Sequence, residues 1–150
     1  MTERLTKTAT RNIFYGGSAF FLIAFVALTI HTHFYMNRTS APVTAMSESV
    51  VRGKEIWERN SCINCHTLLG EGAYFAPELG NVWKRWGGDT DPEGARATFA
   101  AWMASQPSGV EGRRQMPQFH LSDQEVSDLA DFLEFVSKIN TQGWPPTPAG

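Results

Sequence analysis

Hydrophobic positions fall along this chain in two patterns. From Ile13 to Ile30, IFYGGSAFFLIAFVALTI, no side chain is charged, and the run approaches the roughly 20 apolar residues that carry a helix across a hydrocarbon core. With His31 to Tyr35 as an interfacial margin, residues 13–35 read as one transmembrane anchor helix behind a short N-terminus, 1–12. Beyond it the apolar positions become periodic. SESVVRGKEIWERN sets Val50, Gly53 and Trp57 at helical spacing. LSDQEVSDLADFLEFVSKI places Val126, Leu129, Phe132, Leu133 and Val136 on one face behind a Ser122/Glu125 capping box, and closes near Lys138, whose charge suits a helix C-terminus. Between the two, Asp91 and Pro92 start a helix that runs to about Ser105, with Phe99, Trp102 and Met103 expected on its buried side and Pro107 stopping it.

Gly53 sits in the middle of its helix, where glycine costs about 1 kcal/mol relative to alanine. Its presence predicts a close crossing, with the last helix as partner. The remaining stretches, LLGEGAYFAPELGNVWKRWGGD and SGVEGRRQMPQFH, read as Gly- and Pro-rich loops carrying aromatics, and no period-two alternation is long enough to predict a sheet. RTSAPVTAMSES is small, polar and broken by Pro42, so 36–46 is a linker and 47–150 the outer domain. The expected fold class is all-α, with a single N-terminal transmembrane helix and a small helical domain.

Charge sets the orientation. Arg4, Lys7 and Arg11 precede the apolar run, while Arg38 is the only lysine or arginine after it as far as Val50. That bias keeps the N-terminus cytoplasmic and puts residue 40 onward outside. A cleaved signal peptide ending at VTA, before Met46, is the competing reading; the apolar run exceeds the usual 7 to 15 residues or so, and Ala45 lies far beyond its end. Gly16, Gly17, Ala24 and Ala27 would let a second membrane helix approach, or are simply the small residues common in such helices. His31 and His33 are expected to bond water and headgroups rather than a metal. A net charge of −2 gives no field that would attract nucleic acid. Ten Phe, five Trp and three Tyr are a heavy aromatic load for one small domain, and suit a chain that encloses something flat and apolar.

The chemistry concentrates in NSCINCHTLL, which holds both cysteines of the chain, Cys62 and Cys65, directly before His66. A structural zinc site needs four ligands, and the other histidines are two at the membrane and His120. A thioredoxin-like pair needs a βαβ setting that the chain does not offer. Haem c uses all three residues: each thiol adds to one vinyl group, and the following imidazole ligates the iron. The haem would also supply the core that a loop-rich helical domain lacks. For the sixth ligand the candidates are Met46, Met103, Met116 and His120. Met46 lies in the linker and Met103 on a helix face; Met116, in RRQMPQF and braced by Pro117 before the last helix, is favoured, with His120 second. An iron with both axial positions filled passes single electrons rather than binding substrate.

VVRGKEIWERNSCINCHTLLGEGAYFAPELGNVW, RRQMPQF and the membrane segment beginning RNIFYGG closely resemble the cytochrome c subunit of bacterial cytochrome c-dependent nitric oxide reductase, over nearly the whole chain. The motif CINCH alone says only c-type cytochrome; the LLGEGAYFAPELGNV stretch after it is far more specific. The resemblance implies a small class I-like cytochrome c domain wrapped around one haem c. It implies a large membrane-embedded catalytic partner with haem b and non-haem iron that reduces two NO to N2O. It further implies an electron donor that is a soluble periplasmic cytochrome c or cupredoxin, and a place in the bacterial inner membrane with the haem domain in the periplasm. Pro77 resembles the proline of small cytochromes c whose carbonyl accepts the Nδ1 hydrogen of the ligand histidine. Tyr74, with Phe75, would lie near the haem, either at the contact with the large subunit or packed in the haem pocket. Two further readings stay open: a free membrane-tethered electron carrier, which the short linker disfavours, and the cytochrome c subunit of a haem–copper oxygen reductase.

Overall fold

A computed structural model describes residues 6–39, 46–109, 111–112, 114–141 and 143. The chain divides into an N-terminal unit, up to Pro42, and a second unit from Val43 onward.

The first unit is one helix, α1, Lys7–Thr39, of 33 residues. At 1.5 Å per residue it is about 50 Å long, more than the roughly 30 Å of a hydrocarbon core. It begins before Ile13 and continues past Tyr35, so the first residues of the expected linker are helical; 40–45 lie outside the described residues. None of its side chains is buried, and its phenylalanines, leucines and isoleucines face outward, as in a helix that meets lipid. At its C-terminal end the Asn37 amide donates to His33 Nε2 at 3.0 Å, and the His31 ring stacks on Tyr35.

The second unit is built on two crossing helices. Ser47 caps α2, Glu48–Arg59, by accepting from the Val50 N–H. Ser122 and Glu125 cap α5, Asp123–Ser137, with a reciprocal capping box. At Gly53 the helices touch backbone to backbone: a Cβ there would run into the Asp128 carbonyl and come within 2.7 Å of Phe132 Cβ. The crossing is flanked by polar clamps. Arg52 donates twice to the buried Asp128 carboxylate, at 2.7 and 2.9 Å, Gln124 adds a third bond at 3.1 Å, Arg59 pairs with Glu125, and Ser49 bonds Asp131. Donation by Arg52, against the opposing effect of burial, holds Asp128 below the usual carboxylate range; Glu125 is lowered chiefly by the Ser122 N–H.

Helix α4, Pro92–Ala104, starts where Asp91 accepts from the Gly94 N–H, with proline at the first helical position. It buries Ala95, Phe99 and Met103. Arg96 fastens it to α5 through Asp131 and Glu134, with its guanidinium over the Trp83 ring. Trp102, expected on the buried side, is 48 % exposed: Ala95, Phe99 and Met103 recur every four residues, and that stripe leaves position 102 on the shoulder. Two elements go beyond the sequence expectation. Val82–Arg85 forms a single-turn helix, α3, that buries Val82 and Trp83, and four residues are too few to show a period. Strands β1, Thr67–Leu68, and β2, Glu71–Gly72, pair antiparallel across a two-residue turn with Leu69 and Gly70 both left-handed, φ 51° and 85°. With these small exceptions the architecture is helical.

Candidate haem centre

The segment after α2 is a coil of backbone hydrogen bonds. Cys62–Asn64 forms a 3-10 turn, and the Cys62 carbonyl accepts from both Cys65 N–H (3.1 Å) and His66 N–H (2.9 Å). This turn presents Cys62, Cys65 and His66 from one short arc. Both thiols are free; Cys65 is exposed, and Cys62 is half-buried against the core, where burial pushes its thiol up to about 11. The loop that follows wraps back over the turn. Ala73 N–H bonds the Ile63 carbonyl, and Phe75 and Ala76 N–H both bond the Cys65 carbonyl. Gly72 permits this wrap: its φ is +119°, and a Cβ would collide with the His66 carbonyl.

The wrap ends at Pro77, whose carbonyl oxygen lies 2.8 Å from His66 Nδ1. A carbonyl only accepts, so Nδ1 carries the hydrogen and donates it to Pro77, which leaves Nε2 as the ring nitrogen able to face a metal. Behind the imidazole stands Trp57, ring centroids 6.3 Å apart. Glu78 secures the far side of the loop by accepting from Leu69 and Gly80 N–H.

Met116 is half-buried and packs against the same core cluster that Cys62 borders. Its segment is tied to the histidine side by Arg114, which donates to the Phe75 carbonyl at 3.3 Å and stacks over the Phe75 ring at 4.0 Å. Met103 is buried in the core, 6 % exposed, and Met46 is exposed. His120 is exposed, at φ +53°, and lines an open groove of about 580 Å³ with Arg96, Met103, Gln118 and Ala130, whereas none of Cys62, Cys65 and His66 borders it. Tyr74 and Phe75 are 80 % and 61 % exposed, an aromatic pair beside the turn.

Haem c fits these donors: two free thiols and an imidazole whose Nδ1 is held by Pro77 leave one short arc, and apolar surface lies beside them. Thr67 fits an incomplete pocket, because its Oγ1 is fully buried with no partner among the described residues, one residue from His66. Sequence reasoning misses Thr67, Glu78, Arg114 and the trio at Gly72, Ala73 and Ala76. The first gives no signal there, and the others act through contacts with distant backbone.

The cytochrome c family model matches residues 50–137. Among curated proteins the chain is 59 % identical over 150 residues to the nitric oxide reductase C subunit of Halomonas halodenitrificans. It is 58 % identical to the protein of the same name from Paracoccus denitrificans and 56 % to that from Cereibacter sphaeroides, each match covering 100 % of both chains.

Proposed function

The chain belongs to the cytochrome c family, among the C subunits of nitric oxide reductase, and from that premise we propose that it is the component through which electrons enter such a reductase. It carries covalent haem c. The cysteines Cys62 and Cys65 would form the thioethers, and His66, through Nε2, and Met116 would hold the iron. When bound, haem c provides a one-electron iron couple, and a methionine ligand raises its potential as in electron-carrying cytochromes.

The observation that carries this reading is the His66–Pro77 contact at 2.8 Å. A carbonyl acceptor on Nδ1 fixes both the tautomer and the ring plane, and makes Nε2 a better donor. With His66 and Met116 both holding the iron, the chain would keep no ligand position for substrate. NO reduction therefore belongs to a partner, a large membrane subunit with haem b and non-haem iron. The donor is a soluble periplasmic cytochrome c or cupredoxin, and the Lys/Arg bias around α1 supports a cytoplasmic N-terminus with the haem domain in the periplasm. Residues 13–35 are the portion proposed to lie in the hydrocarbon. Tyr74, so widely exposed, is assigned to the contact with the large subunit at the haem edge.

Detergent purification tests the reading. A large haem b protein with NO-reducing activity is expected to copurify with the chain. Recovery of the chain alone, fully haem-loaded and without that activity, would favour a membrane-tethered carrier instead.

A further inference from the structure

Gln118 lies two residues beyond Met116. Its Nε2 reaches the carbonyls of Met103 (3.2 Å), Ala104 (3.4 Å) and Gln106 (3.1 Å), while its Oε1 accepts the His120 N–H at 3.1 Å. These partners fix the amide's orientation, since the reverse would set an oxygen against three carbonyls and an NH2 against an N–H. The last carbonyls of a helix have no intrahelical donor. At α4 the Trp102 carbonyl is met by Ser105 Oγ and Gln106 Nε2, and Gln118 reaches in from the loop to serve those after it.

The wall that Gln118 grips is packed, because the Met103 side chain is buried in the core. On its other side the amide holds His120, whose left-handed backbone turns the chain toward the Ser122 cap of α5. Met116 thus hangs next to a clamp that joins the end of one helix to the start of another. A thioether is a weak, neutral donor, so its occupancy of the iron depends on how narrowly the chain confines it, which is an effective concentration.

We propose that Gln118 is a positioning residue that keeps the Met116 sulfur on the iron, through an amide bonded at once to the C-terminal carbonyls of α4 and to the His120 N–H. The proposal rests on the reading of Met116 as sixth ligand. It adds a determinant of ligand exchange outside the coordination sphere.

The test uses the full-length chain, haem-loaded, in detergent. Imidazole is titrated into the ferric protein, and displacement of sulfur is followed by loss of the weak red charge-transfer band of methionine-ligated haem. Gln118→Glu keeps the size and the acceptor but has no N–H to give. It should behave like Gln118→Ala, both binding imidazole about fivefold to tenfold more tightly than wild type, the equivalent of roughly one lost hydrogen bond. Titrations are run well below each variant's melting temperature. Wild-type imidazole affinity in both Gln118 variants overturns the proposal, even where melting temperatures fall, because a mere helix cap would lower stability and leave ligand exchange alone. A third variant, Met116→Ala, separates the two readings: a red band that survives in it removes Met116 as ligand, irrespective of Gln118.

Discussion

On the proposed ligation Met116 sets a thioether on the iron, and Met116→His tests it by offering an imidazole in its place. Since the proposed attachment is through Cys62 and Cys65, the variant should retain covalent haem and lose the red band. A second imidazole favours ferric iron more than a thioether does, so the potential should fall. Each 59 mV or so is a tenfold change in a one-electron equilibrium, and turnover with a periplasmic donor should drop while a strong artificial reductant still drives the partner. Redox titration checks this; an unchanged potential would move the ligand to another residue. Removing both thiols, Cys62→Ala with Cys65→Ala, should abolish haem staining on denaturing gels. Cys62, Cys65 and His66 stand out in the sequence because the proposed attachment chemistry needs them at close spacing. Arg114 and Gln118 are not, since what each one holds is backbone brought near only by folding.

Among the helices, the α2–α5 crossing is the contact most open to test. Gly53→Val should lower the melting temperature by an overpacking cost near the upper end of about 1–3 kcal/mol, with an unchanged spectrum in whatever protein folds. A wild-type melting temperature would put Gly53 outside the crossing. The clamps beside it make acid stability a second readout. Asp128 and Glu125 are both held below their ordinary values, 3.8 and 4.5. A carboxyl depressed in the folded state contributes stability that is complete above its ordinary value and is lost as pH falls through the depressed one. Acid unfolding of the wild type should therefore begin below about pH 4. Arg52→Met removes the chief cause of the Asp128 shift and leaves a buried carboxylate without its cation, so the onset should move to higher pH; an identical acid profile would count against the clamp. Periodicity and glycine placement make this crossing readable from the sequence. Single-turn α3 and the two-residue strands escape because neither is long enough to display a period, and Trp102 departs from its expected face because a four-residue stripe and a three-residue step diverge on a helix.

For the molecule as a whole, the aromatic pair at Tyr74 and Phe75 tests how the second unit meets the proposed partner. Tyr74→Ala should slow electron transfer to the large subunit and leave spectrum and potential as in wild type; a shifted spectrum would make Tyr74 part of the haem pocket instead. Stopped-flow reduction of the purified complex distinguishes the two. The α2–α5 pair also has a consequence in time. Arg52 and Asp128 are 76 residues apart in sequence, so the contact that closes the domain joins its beginning to its end. A chain made from its N-terminus presents Cys62 and Cys65 well before α5 exists, and closing so long a loop is entropically costly until other contacts reward it. During that interval the two thiols stand open to whatever machinery loads them, whereas in the closed domain Cys62 is half-buried against the core. Maturation is therefore expected to be ordered, attachment first and closure second. Truncating the chain before Ser122 should yield protein that still acquires covalent haem but remains sensitive to protease.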